Sequence, residues 1–505
     1  MRTLQRIITA TFVASIFLAN LQGSAIAAEL QAGAGKVDIT NMDAGPVEMP
    51  LYARALAIKS EDTTIVIITL DVVSFGMIGS IKDDFIPYVR ERASKELGIE
   101  SRNLVFNASH CHGIPASNSH ELTFDAIKQA VSNLERVTVG VGTGFEDRIQ
   151  ENRRMILKSG KTIDVRHAYS LPPDEEVADV GPIDPEIGVV RIDNLKGDTL
   201  AVLYHFSMHP IMGSPTGANT ADITGYSSQV IEENLDDGTV ALFLQGCGGD
   251  INPISYKDMH HPREAEPLGN RLGLSTLRAV RKIKTTDDNR LAIFNHDVDL
   301  PRSNLAERII QQEAQQLSLM NSIGGTTLNL KTFMQLSNKH GLAESFPTYH
   351  ASRYMHEEKR GRAILSSMDS RNRSHVKAYL RNIHTMEELS RVSTNLRLLH
   401  MHQQQYLDAE RRPIRVEVVG LRIGEFVLIT HPGELTIPIG LKIKEDSPYD
   451  QTFVSGYTNG YIYYAPTAEQ LENRGGAQED SDCILDPAWE ALFYKKVAEL
   501  LDLLK

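Results

Sequence analysis

The sequence predicts an α/β fold: a mixed sheet sandwiched with helices and interrupted by a helical insertion. Three observations carry that prediction. Residues 63 to 73 form an unbroken, largely β-branched run, which reads as a strand buried on both faces. Apolar residues then recur at helical spacing, at Ile81, Phe85, Val89, Ala93 and Leu97. A second buried run, Leu104-Val105-Phe106, follows and completes a β-α-β unit.

The same alternation continues along the chain. Residues 199 to 206 and 239 to 244 read as strands, and 268 to 283 as a helix. From about 303 to 410 the character changes to Gln, Glu, Lys, Arg, His and Met, with helical spacing in Leu305, Ile309 and Ile310 and again in Leu389, Val392, Leu396 and Leu399. That stretch is the expected helical insertion, either a lid, an oligomer contact or a helical layer of the same domain. Strands resume at 414 to 421 and 425 to 430 around an Arg422-Ile423-Gly424 turn. A last helix spans 487 to 504, with Leu492, Val497, Leu500, Leu501 and Leu504 on its apolar side. No repeat or low-complexity linker divides the chain, so residues 28 to 505 are expected to form one domain.

Of 505 residues, 41% are hydrophobic and 23% charged, ordinary values for a globular protein. Lys+Arg 52 against Asp+Glu 65 leaves a net charge of −13, which favours solubility and argues against a nucleic-acid or anionic-membrane surface. Arg2 and Arg6 precede an apolar stretch from Ile7 to Leu21, and Ala25-Ile26-Ala27 has the small-x-small pattern of a processing site. This reads as a cleaved secretory signal over residues 1 to 27 rather than an anchor, being short for a spanning helix. The expected protein is periplasmic or secreted, with no span after cleavage. Its three cysteines, Cys111, Cys247 and Cys483, leave at least one free thiol, and buried free thiols are the preferred reading over one disulfide.

The chemistry gathers at strand ends. Ser109-His110-Cys111-His112 closes the 104 run. In an extended strand, residues two apart share a side, so His110 and His112 are expected to aim into one cavity. His205 and His209-Pro210 close the 199 run, and His431-Pro432-Gly433-Glu434 closes the 425 run. Strands that each deliver a nitrogen or oxygen ligand to one sheet edge build an open-position zinc site. On this reading His112 counts as a ligand, and His205 and His431 compete with their neighbours. The glycines from 246 to 249 are not a phosphate loop, since no Gly-Lys-Ser/Thr follows.

Seven motifs in order resemble the neutral/alkaline (non-lysosomal) ceramidases, across nearly the whole chain after residue 27. They are the opening Ala32-Gly33-Ala34-Gly35-Lys36-Val37-Asp38-Ile39-Thr40, then Ser109-His110-Cys111-His112-Gly113 and Asn152-Arg153. Phe206-Ser207-Met208-His209-Pro210, Gly249-Asp250-Ile251-Asn252-Pro253, Pro432-Gly433-Glu434 and the segment from Tyr457 to Tyr464 complete the set. The resemblance implies a ceramidase-like catalytic domain and a zinc ion held by His110, His209, Glu434 and Tyr464. His112 would then stand beside the metal rather than on it. Arg153 would hold the substrate carbonyl or product carboxylate. His209 is preferred over His205 because it precedes the motif's proline, and Glu434 over His431 because Gly433 permits a turn that presents the carboxylate.

The sequence departs from the family at three places. Asn252 stands where the family has a catalytic serine, and an amide cannot be a nucleophile. Gly475-Gly476-Ala477-Gln478-Glu479 stands where the family has a Tyr-Glu pair. No immunoglobulin-like C-terminal domain is expected. The implied function is zinc-dependent hydrolysis of a small-molecule or lipid N-acyl compound, with an ester, a lactone or an acetamido sugar as other bonds. A silent zinc-containing binding protein is the reading from another class.

Overall fold

The β-branched run that begins at Thr63 lies in an eight-stranded mixed sheet of the computed structural model. Its strands run in the order Val240–Gln245, Thr199–Phe206, Glu186–Asn194, Glu135–Phe145, Gln31–Asp38, Tyr52–Ser60, Thr63–Leu70 and Leu104–Ala108. The structure describes residues 29–505 apart from 62, 166–171, 173, 214–216, 255, 257–259, 261, 341–350 and 473–476. The expected signal segment lies outside the described residues, as do Gly475 and Gly476.

Five of the seven pairings are antiparallel, and the outermost pair at each edge is parallel. Parallel neighbours need a crossover, and each has a helix for it: Phe85–Leu97 at one edge and Asp222–Glu233 at the other. A second, four-stranded sheet orders Leu291–Leu300, Ile414–Ile423, Phe426–Thr430 and Thr452–Ser455. Its last pair is also parallel, crossed by the helix Ile437–Asp446.

The side-chain alternation of the Thr63 strand sorts the layers. Ile65 and Ile67 join Leu203, Leu244, Leu421, Leu428 and Phe453 in a core between the two sheets. Val66 and Ile68 face the other way, into a core shared with Val89 and Phe124 of the covering helices. The C-terminal helix Trp489–Leu503 backs the small sheet, where Gly420 lets Leu500 approach the strand. The result is an α/β sandwich of two mixed sheets with helices outside, the predicted class.

Several strands escaped sequence reading, notably Gln31–Asp38 and Glu135–Phe145. Both are glycine-rich, and glycine is a poor strand former. The glycines are there for packing. A Cβ on Gly33 would lie 2.3 Å from the Ala130 carbonyl oxygen, and one on Gly35 would lie 2.2 Å from that of Ala126. The helix Ser119–Ser132 sits directly on the strand's backbone.

The strands Leu291–Leu300 and Ile414–Ile423 pair antiparallel from Leu291↔Ile423 to Leu300↔Ile414. The chain between them therefore leaves and returns at neighbouring points. Among the described residues it forms the helices Ala306–Ser322, Leu330–His340, Ala351–Lys359 and the 45-residue Ile364–Asp408. Leu305, Ile309, Val392, Leu396 and Leu399 make a small core at its base, whereas Ile310 is exposed.

Candidate metal centre

The three parallel pairs of the two main sheets end at one place. His110 follows Leu104–Ala108, His209 follows Thr199–Phe206, and Glu434 follows Phe426–Thr430. Open sheets place ligands outside the carboxyl ends of parallel strands, where chain directions diverge. Here the large sheet curls, so that its two edges meet at that end. Asn107 stitches them together: its Oδ1 accepts the Gln245 N–H at 2.9 Å. Its Nδ2 donates to the Gly456 carbonyl and to Thr458 Oγ1, both at 2.9 Å. The buried amide uses its acceptor and donors to join both edges to the loop after the small sheet.

His110, His209 and Glu434 are buried, with ligand atoms all within 4.8 Å of one another. Each imidazole is oriented from behind. His110 Nδ1 lies 2.8 Å from the Val73 carbonyl, and His209 Nδ1 lies 3.0 Å from that of Ile251. A carbonyl oxygen only accepts, so both Nδ1 atoms carry the proton. The two Nε2 atoms then face Glu434 Oε2, at 3.7 Å from His110 and 3.2 Å from His209.

Glu434 is gripped by two phenols. Tyr457 donates to Oε2 at 3.1 Å, and Tyr461 donates a short hydrogen bond to Oε1. Burial acts to raise the carboxyl's pKa, but positive charge on imidazoles that carry a second proton, together with the Tyr461 hydroxyl, outweighs it and holds the group well below the usual carboxylate range. Burial, reinforced by the Glu434 charge, pushes both phenols well above theirs, so they stay protonated donors.

Tyr464 is the direct strand partner of Glu434 in a two-stranded parallel pair. Its ring stacks 6.5 Å from that of His209, and its hydroxyl accepts from Arg153 Nη2 at 3.3 Å. The aromatic cluster thus divides: Tyr461 serves Glu434, Tyr464 faces Arg153 and His209, and Tyr463 accepts from Gln405 of the long helix at 3.0 Å.

Arg153 is only 1% exposed. Its Nη1 donates to Asn252 Oδ1 at 3.1 Å, its Nη2 also bonds the Gly249 carbonyl, and its Nε lies 2.6 Å from Glu479 Oε1. Asn252 sits in Ile251–Pro253, paired with Gln150–Asn152 just before Arg153. Gly249 lets this loop reach the Glu434 strand, since a Cβ there would lie 2.6 Å from the Glu434 carbonyl oxygen.

His112 differs from the extended-strand expectation. The strand stops at Ala108, and His110 takes a left-handed backbone with φ 64°. His110 is buried while His112 is exposed, yet their ring centroids are 5.5 Å apart. Tyr457, Asn459 and Tyr463 also have positive φ, so uncommon backbone conformations gather around the centre.

The competing histidines are elsewhere occupied. His205 binds the Val454 carbonyl at 2.9 Å between the sheets, and burial lowers its pKa to about 4. His431 accepts the Gly433 N–H at 2.9 Å and lies against Trp489 and Phe493. All three cysteines are buried and free.

Sequence reasoning missed Tyr457 and Tyr461 as holders of Glu434, and Glu479 as the partner of Arg153. No spacing advertises a phenol meeting a carboxylate across a fold. A buried acid in a loop that also carries glycines was the available hint for Glu479.

No family model matches the chain. Two solved structures share its architecture: the neutral ceramidase from Pseudomonas aeruginosa and a ceramidase complexed with C2. Each superposes with a TM-score of 0.59 at 16% identity, over 94% of this chain and 75% of the other. The chain has the neutral ceramidase fold. That likeness is one of architecture, and the site must speak for its own chemistry.

The donor set fits a zinc ion. With both Nδ1 protons committed to carbonyls, neutral imidazoles turn lone pairs toward a carboxylate oxygen. Such facing lone pairs repel unless a cation or proton lies between them. Two imidazoles and a carboxylate match an open zinc site, and the carbonyl partners supply the outer support that metal-bound histidines use.

Proposed function

We propose that the chain is a secreted zinc-dependent hydrolase of the neutral ceramidase type, cleaving an N-acyl amide bond. The observation that carries this reading is the convergence of two tautomer-fixed Nε2 atoms on Glu434. His110, His209, Glu434 and Tyr464 would hold the zinc. Zinc bound there would supply an activated water and polarise the acyl carbonyl.

The chain's own residues do the rest. Tyr457 and Tyr461 keep Glu434 ionised and fixed. His112, exposed beside buried His110, is the group assigned to protonate the leaving amine or steady the tetrahedral oxygen. Arg153 is enclosed, which favours action through Tyr464 and Asn252, with its positive field strengthened by low dielectric. Asn252 gives its Oδ1 to Arg153, so its Nδ2 remains to donate to water or substrate. Export rests on the sequence of residues 1 to 27 alone.

Asn252 in place of a serine also favours a second reading, a zinc-containing binding protein without turnover. Elemental analysis of purified protein tests the centre: about one zinc per chain is expected of one mononuclear site. His110→Ala, His209→Ala and Glu434→Ala should each lower it, whereas His112→Ala should keep the metal and lose activity. Full zinc in all three ligand variants would overturn the assignment. Zinc without hydrolysis of any amide, ester, lactone or acetamido sugar would favour the binding protein.

A further inference from the structure

The net charge of −13 conceals a segregated basic region. Residues 351 to 381 hold eight Lys and Arg against three Asp and Glu. They cover the helix Ala351–Lys359 and the first turns of Ile364–Asp408. The long helix is anchored far away, where Arg391 is buried and donates to the Asp164 carbonyl at 3.0 Å. An α-helix rises about 1.5 Å per residue, so Ile364 stands roughly 40 Å along the axis from that anchor.

Two features coincide at this far end. The first is a cavity of about 480 Å³ between the two helices, lined by Arg353, His356, Glu357, Arg360, Arg362 and Ile364 among others. Glu357 is the one acid in that lining, and the three guanidinium groups form no ion pair with a carboxylate among the described residues. The second is exposed apolar surface: Ile364 is 65% exposed, Met355 57% and Met368 41%. On the neighbouring helix, Leu330 and Met334 are each 61% exposed.

We infer that this basic, apolar tip is a docking surface for an anionic phospholipid bilayer. Guanidinium groups around a cleft match phosphate-bearing headgroups, and Arg takes phosphate in two-pronged fashion. Large apolar side chains among those cations have no use against a nucleic-acid backbone or free phosphate. They suit the boundary between headgroups and acyl chains. No helix among the described residues is long and apolar enough to cross a membrane, and the attachment inferred here is peripheral. The surface is remote from the candidate metal centre, and its role does not depend on which bond the chain cleaves.

Vesicle co-sedimentation with the full chain lacking residues 1 to 27 tests this. Vesicles of phosphatidylcholine with about one third phosphatidylglycerol should retain the protein about tenfold better than phosphatidylcholine alone, and the preference should collapse in about 0.5 M salt. Arg353→Glu/Arg360→Glu/Arg362→Glu should abolish the preference. Met355→Ser/Ile364→Ser should weaken retention severalfold at unchanged charge. Unaltered circular dichroism and zinc content would certify that both variants fold. Equal retention on both vesicles, or full retention by a folded charge-reversed variant, would overturn the proposal. So would saturable uptake of inorganic phosphate, or capture by single-stranded DNA, without vesicle binding.

Discussion

Glu434 and Tyr464 are direct Cα partners in a parallel two-residue pair, although thirty positions separate them in the chain. The pairing fixes a phenol beside a carboxylate with backbone hydrogen bonds rather than through side-chain flexibility. Tyr464→Phe keeps the ring against His209 and removes only the hydroxyl that accepts from Arg153. Zinc affinity should fall by roughly ten- to a hundredfold while the melting temperature changes little. Competition with a fluorescent chelator measures it, and unchanged affinity would remove Tyr464 from the ligand set.

Asn252 offers a test of the nucleophile. If water attacks, Asn252→Ala should slow turnover by about ten- to a thousandfold, the range for one polarising donor. No pre-steady-state burst should appear. A burst, or an acyl group trapped on Cys247 or any other side chain, would reveal a covalent route.

The Asn107 stitch makes a stability prediction. Asn107→Ala orphans the buried Gln245 N–H and removes one of the two donors to the Gly456 carbonyl, which keeps Thr458 Oγ1. The loss should be on the order of 3 kcal/mol, read as a lower denaturant midpoint. A shift within error would mean that the sheet edges hold without it.

His431 makes an acid-sensitivity prediction. Burial lowers its pKa to about 3, and the Gly433 N–H that its Nδ1 accepts only partly offsets this. An unfolded histidine titrates near 6.5, so below that the unfolded chain binds the extra proton. Stability from this group is whole above about pH 6.5 and drains as pH falls toward about 3, by a few kcal/mol in all. Asp222 and Asp480, both raised by burial to about 6, act in the opposite direction. A difference experiment is therefore needed. His431→Asn keeps an acceptor for Gly433 but cannot charge. The gap between wild type and variant should narrow from pH 7 to 4.5 in thermal melts of chelator-treated protein. A constant gap would reject the assignment.

For substrate, Asn252 and the replaced Tyr-Glu pair point away from a close fit to ceramide. Long-chain ceramide should be cleaved weakly or not at all, and a smaller or more polar N-acyl compound better. A panel of ceramides, N-acyl amino acids, N-acyl homoserine lactones and acetamido sugars decides it. Ceramide emerging as the best substrate by a wide margin would refute the expectation.

What the sequence revealed follows from which interactions are local. The Thr63 strand, its crossover helix and the Leu104 strand are written as apolar periodicity, because burial on both faces demands it. Gln31–Asp38 is not, because its glycines record contact with a helix about ninety residues away. The histidines and Glu434 stood out as strand-end ligands, since chemistry restricts them to few residue types. That His110 turns inward while His112 stays outside depended on one left-handed backbone angle, which no spacing encodes. The curl that joins the sheet edges through Asn107 was equally hidden.

The helices between Leu300 and Ile414 also reach into the reactive region. Arg308 donates to the Asp480 carbonyl and at 2.7 Å to Ser481, and His402 lies 2.8 Å from Asp482. These contacts clamp the loop whose Glu479 meets Arg153. A shortened chain joining Leu300 to Ile414 would still align both sheets, because those residues are already partners. It would nonetheless take two holds from the loop that tethers Arg153, leaving it the Arg154–Asp480 ion pair and the Tyr464 N–H to the Asp482 carbonyl. The excursion is thus a brace as well as an arm: pruning it would yield a scaffold in proper register whose reactive centre had lost part of its bracing.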